Sequence, residues 1–256
     1  MHALIKVMFI YAMIVSNFAY PQECIPPAPT VVIQGDGQRE LCGGEYPDIS
    51  WEGTLIIKKG TEVTFSGWVR FTGMNDGLLI IEEGAILNIT TEELRPNGPI
   101  EIIGTLNANA GIDVIIGWFQ VRQTGVVSTP YLKINTLSLP ISGVEIAGTV
   151  HVANELEIFG PMVDETPVLT LSGCGYVVTR NFISHHENIV GGNGFLKILD
   201  SYVNDVPLTL SPGIVVEYLG TAPADFGLAT LGPYSCTTVP IKYKPRSLKI
   251  LKKTKK

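Results

Sequence analysis

The chain has 256 residues, 45% of them hydrophobic and only 16% charged, with 27 glycines and 17 prolines. That composition is enough for a large core and excludes a disordered body, and its branched and aromatic apolar residues favour strands. The net charge of −6 hides an asymmetry: eight of the 18 basic residues and none of the 24 acids lie in Lys242–Lys256, so the first 241 residues carry ten basic against 24 acidic groups, a balance of −14. A body without a basic face excludes nucleic acid as its partner.

In chain order, residues 1–20 read as a signal peptide. His2 and Lys6 precede the apolar run Val7–Val15, and Ser16 or Ala19 offers a small residue for cleavage. The run is too short for a membrane span, which needs about 20 apolar residues, and no later segment qualifies. Residues 21–52 form a proline-rich entry cap. Four cysteines follow the signal: Cys24, Cys42, Cys174 and Cys236. An even number in an exported chain predicts two disulfides, with three pairings open. Cys24–Cys42 is preferred because it closes a short loop, worth about 3 kcal/mol; Cys174–Cys236 follows by elimination. The spacings lack the CxxC pairs of zinc sites, and no metal or cofactor is expected.

Residues 53–235 alternate like strands rather than helices. Thr54-Leu-Ile-Ile-Lys-Lys-Gly60-Thr-Glu-Val-Thr-Phe65 and Leu78-Leu-Ile-Ile-Glu-Glu-Gly84-Ala-Ile-Leu-Asn-Ile89 are copies of one pattern, with shorter copies around Gly104 and Gly148. Weaker copies sit at Gly125, Gly173, Gly194 and Gly213. These glycines are separated by 24, 20, 21, 23, 25, 21 and 19 residues. A period of ~22 predicts stacked coils that share one core, with glycine at a corner. A third strand fills each coil, as in Trp68–Phe71, Trp118–Val121 and Leu132–Ile134. Inward residues fall three and five places after Gly60 and Gly84, but two and four places after Gly104, Gly148 and Gly194, as if one corner residue were lost. The expected fold is all-β: a single parallel β-helix of about 8–10 coils, roughly 40–50 Å long at ~4.8 Å per coil. Residues 236–256 form a basic tail able to touch an anionic surface.

The phrase Gly53-Thr-Leu-Ile-Ile-Lys-Lys-Gly-Thr-Glu-Val-Thr-Phe65 resembles the coils of right-handed parallel β-helix surface proteins of bacteria, adhesin-like passengers in particular. The resemblance covers residues 53–220 and implies fold more than function. Polygalacturonases and pectate lyases share that fold, but the N-T-D, G-H-G and R-I-K motifs of the former are absent here. For a lyase-like centre, Arg180 with Asp200 is the one pair placed to stack a coil apart, and a ladder salt bridge explains it more simply.

Other candidates carry an ordinary reading beside the functional one. His185-His186-Glu187 is the densest ionisable cluster, but neighbours on a strand point to opposite faces. His151 alternates with Val150 and Val152 as an outward residue. Trp51, Trp68 and Trp118 are able to stack on sugar rings, yet Trp68 and Trp118 stand at different distances from their glycines, so core or capping roles fit better. Gly191–Gly194 lacks the strand–helix context of a phosphate loop, and Asn88-Ile-Thr90 is a sequon. No catalytic residue is assigned. The expected function is that of a non-enzymatic extracellular or cell-surface structural or adhesive protein, its partner a polysaccharide or another surface protein. The alternative is a polysaccharide-active enzyme, a lyase or glycoside hydrolase, or a carbohydrate-binding module.

Overall fold

Short runs such as Glu62-Val-Thr-Phe65 cannot bury their apolar side alone, and the chain solves this by stacking them. The computed structural model describes residues 24–71, 77–115, 117–135, 143–159, 168–185, 189–204, 209–211 and 213–221. These residues form a parallel β-solenoid of about eight turns, with coils about 21 residues apart. All paired strands run parallel to their neighbours.

Each coil contributes to three sheets. The leading sheet lies before the glycine corner and stacks Leu55, Leu79, Ile100, Phe119, Val144, Leu169 and Val190 in one inward row. The trailing sheet lies after the corner and stacks Val63, Leu87, Leu106, Val127, Val150, Val177 and Leu196. The closing sheet returns the chain and includes Ile112, Leu132, Leu156, Phe182 and Tyr202. All of these side chains are buried in one continuous core. At ~1.5–3 kcal/mol per buried large aliphatic side chain, the rows dominate stability. The strand Trp118–Val121 departs from expectation. It pairs with Ile100–Ile102 and so belongs to the leading sheet, not the closing one.

The glycine repeat resolves into two ladders one residue apart. Gly60 and Gly84 stack on each other, Gly60 N–H donating to Gly84 O at 3.2 Å, and both have φ of +76°. The next corner position holds Ala85 and then Gly104, Gly125 and Gly148, as the register of the following residues Ile86, Thr105, Val126 and Thr149 shows. Gly175 and Gly194 continue it. These glycines serve a different purpose. A Cβ on Gly104 would strike Glu82 O, and one on Gly148 would strike Arg122 O and Gly125 O. The first ladder exists for a left-handed turn, and the second for close approach of backbone to backbone. This offset is the origin of the two registers. It also replaces Gly173 by Gly175 as the repeat position; Gly173 sits in an inserted corner with φ of +53°, beside Cys174 at +67°.

The stack begins before residue 53. Thr30–Ile33, Gln38–Leu41 and Gly44–Tyr46 pair in parallel with Asp48–Trp51, Thr54–Ile57 and residues 63–65. Ile25 adds a bridge above Leu41, its N–H donating to Glu40 O at 2.8 Å and its O accepting from Cys42 N–H at 2.9 Å. The Cys24–Cys42 disulfide secures that bridge, with Cα atoms 5.0 Å apart. The buried Tyr46 hydroxyl donates to Ile25 O (2.6 Å) and Cys42 O (3.0 Å). Cys174 is also disulfide-bonded; its expected partner Cys236 lies outside the described residues, as do residues 1–20 and 236–256.

Candidate functional site

With the inward rows filled by core, any recognition falls to the outward positions, and the three sheets differ there. On the leading sheet the outward row runs Glu40, Ile56, Ile80, Glu101, Gln120, Glu145, Thr170. Its charges are paired along the stack. Lys58 Nζ lies 3.3 Å from Glu40 and 3.1 Å from Glu82, and Arg122 Nε lies 2.6 Å from Glu101. Gln120 and Ser172 donate to the two oxygens of Glu145 at 3.2 and 2.9 Å. The Glu82 carboxyl is held below its usual range, first by the Lys59 backbone N–H and then by Lys58.

The closing sheet is similar. Its outward row runs Asp113, Lys133 and Glu157, then turns apolar at Ile183 and Val203. Arg95 binds Glu93 through two nitrogens at 2.9 and 2.8 Å and lies 3.9 Å from Asp113. Burial, then the Glu93 charge, pushes the Asp113 carboxyl up, against the pull of Arg95. His185 stands 3.0 Å from Glu157 and stacks on Phe159, centroids 4.5 Å apart.

The trailing sheet has a different exterior. Its central outward row reads Glu45, Thr64, Asn88, Asn107, Ser128, His151, Val178, Lys197, Glu217. The row beside it reads Glu62, Ile86, Thr105, Val126, Thr149, Tyr176, Phe195, Val215. Charge is confined to the two ends. Between them lie amides, hydroxyls, one imidazole and apolar groups. Asn88 donates to Glu62 at 3.0 Å and accepts from Asn107 at 2.9 Å, an amide ladder. Burial lowers the His151 pKa, favouring the neutral ring; it meets Tyr176 edge-on at 6.5 Å. Toward the C-terminal end, Tyr176, Phe195, Lys197, Val215 and Glu217 line a groove of about 520 Å³, with Lys197 Nζ and Glu217 2.8 Å apart.

The structure does not gather the candidates read from sequence. Arg180 and Asp200 do meet one coil apart, at 3.3 Å, but both side chains are 61% exposed, an open ladder salt bridge. Trp51 is fully buried against Phe71. Trp68 lies at the corner between trailing and closing sheets, with the Arg70 guanidinium 3.7 Å above its ring. Trp118 is 41% exposed and opens a leading-sheet strand, its ring over Gly143. The two tryptophans share no face. His185 is engaged across the coils by Glu157; His186 and Glu187 lie outside the described residues. Among the described residues no His, Cys, Asp or Glu trio converges to hold a metal, and no helix is long and apolar enough to cross a membrane.

The Tyr176–Phe195–Val215 row was missed by sequence reasoning. Its signal is the residue directly after each second-ladder glycine: Thr105, Val126, Thr149, Tyr176, Phe195. Searches with this chain against protein-family models, curated proteins and solved structures find no match.

Proposed function

We propose that this protein is a non-enzymatic extracellular or cell-surface rod, structural or adhesive, that meets its partner through an outer sheet face. One observation carries the reading. Ion pairs tie Lys58 to Glu40 and Glu82 and Arg122 to Glu101 on the leading face, and Arg95 to Glu93 beside the closing face, while the trailing face confines its charge to its two ends and carries hydroxyl, amide and apolar groups between them. An enzyme that cleaves polysaccharide would need a general acid and a base converging on one point. What supports a rod-like role is repetition, like positions stacked coil on coil along each outward row. The signal-like first 20 residues and the disulfides favour an oxidising, exported setting.

The test has two arms. Full-length protein is expressed in a secreting bacterial host, and intact cells and medium are probed with impermeant protease and antibody; recovery only inside the cell would contradict the extracellular part. Purified protein is incubated with pectin, alginate, xylan and cellulose, and reducing ends and unsaturated products are measured. None is expected, and turnover of any polymer would overturn the non-enzymatic part.

A further inference from the structure

The groove on the trailing face has a chemistry specific enough to name a ligand class. We propose that it binds an uncharged polysaccharide laid along the solenoid axis; this rests on the adhesive reading above and deepens it.

Tyr176, Phe195 and Val215 are register partners on successive coils, so they form an outward strip with one step of ~4.8 Å per coil. None is needed outside by the fold, since the inward positions of the same strands, Val177, Leu196 and Val216, already supply the core and its margin. An aromatic strip in a groove of about 520 Å³ suits a ring with one apolar face. A pyranose is such a ring: its axial C–H groups pack on aromatic carbon while its hydroxyls point to the rim. At that rim Lys197 and Glu217 supply donors and acceptors within one ion pair.

Charge then selects among sugars. Lys197 is the cation of the groove and is already matched by Glu217, so the lining sums to zero. An anionic polymer would find no unmatched cation in the groove. A neutral chain needs none. The strip also does not end at the groove. Thr149, Val126 and Thr105 extend the aromatic row, and His151, Ser128 and Asn107 run parallel to it. A row of uncharged donors and acceptors over several coils fits a linear polymer better than a single sugar.

Affinity electrophoresis tests this with the full chain, in native gels containing hydroxyethyl cellulose, laminarin or galactomannan, and in parallel gels containing polygalacturonate or alginate. The proposal expects retardation by at least one neutral polymer that depends on the groove residues, and no groove-dependent retardation by either anionic one, the basic tail being a separate source of anion binding. Phe195→Ala should weaken the neutral interaction about tenfold, with unchanged melting. Lys197→Met, which keeps the aromatic strip and removes the rim donor, should weaken it several-fold and guards against misfolding of the first variant. Glu101→Gln on the leading face should bind as wild type. No retardation in any neutral gel, or retardation that survives both groove variants, overturns the site. Retention on polygalacturonate that Phe195→Ala and Lys197→Met both abolish overturns the choice of a neutral ligand but leaves the adhesive reading standing.

Discussion

The first coils of the solenoid bury four aromatic residues and leave Trp68 half-buried at a corner, whereas the last coils carry Tyr176 and Phe195, half-buried, on one outward row. Tyr46, Trp51, Phe65 and Phe71 are all buried, with Trp51 and Phe71 rings 4.3 Å apart and Tyr46 edge-on to Phe65 at 6.3 Å. Around them the exterior is ionic, with Lys58 held between Glu40 and Glu82. At the other end the core is largely aliphatic, apart from the stacked Phe182–Tyr202 pair, while Tyr176 and Phe195 are half-buried at outward positions. The contrast separates two demands on one repeat. Inward positions must fill volume, and any apolar side chain of the right size will serve. Outward positions answer to water and to pairing along the stack, and an aromatic strip there serves neither, so it asks for a cause beyond folding.

The two glycine ladders extend the comparison and give its largest expected effect. At Gly148 a side chain collides with two backbone carbonyls that cannot retreat. Gly148→Val should cost ~3 kcal/mol or more, the top of the overpacking range, and lower the melting temperature by at least ~6 °C. At Gly84 the space is open and only the left-handed φ resists. Gly84→Ala should cost ~1–2 kcal/mol. Equal losses in paired thermal melts would contradict the assignment of the two ladders to different causes.

The entry cap comes next. Cys42→Ser removes a cross-link spanning 18 residues and should cost up to ~3 kcal/mol, read as a lower denaturation midpoint and faster hydrogen exchange at Glu40–Cys42. Exchange unchanged there would mean that Ile25 holds the edge without its disulfide.

Tyr46 links the same cap to pH. Its phenol is pushed up to about 12 from 10.0, chiefly by burial. The folded state therefore keeps a proton that the unfolded state releases first. This contribution is complete below pH 10 and is lost as pH rises from 10 toward 12. Alkaline melts should show a loss that Tyr46→Phe lacks, while the variant loses ~1–2 kcal/mol at neutral pH with its two hydrogen bonds. A variant with the same alkaline slope as wild type would remove Tyr46 from the account. The smallest effect belongs to Arg180→Ala, which breaks an exposed pair and should change stability by less than ~1 kcal/mol.

Much of the coil was legible because strand period and corner glycine are local signals. Leu55, Val63 and Phe65 alternate inward as their spacing predicts. The Trp118–Val121 strand was misplaced for a physical reason. Its corner, Arg122–Gly125, is a four-residue turn closed by Gly125 N–H donating to Arg122 O at 2.8 Å, two residues longer than Ile103-Gly104 or Ala147-Gly148, so the strand before Gly125 lies farther from its glycine than in the other short copies. The entry coil was hidden by its prolines and by the absence of the repeat phrase, although Val31 and Ile33 alternate inward. The site was less legible than the fold. Densely ionisable segments such as 185–187 draw the eye, but His185 is explained by Glu157 and Phe159. The informative residues were neutral, and only stacking registers that place Thr149, Tyr176 and Phe195 in one row make them a surface.

The central claim is that recognition belongs to the trailing face. The direct measurement compares three variants, each altering one face: Glu145→Gln on the leading sheet, Lys133→Gln on the closing sheet and Phe195→Ala on the trailing sheet. Each is matched for melting temperature and scored for retention on insoluble cellulose and on yeast cell-wall glucan. The account predicts retention by wild type and by the first two, and loss in the third. Loss in either of the first two with Phe195→Ala unaffected would contradict it.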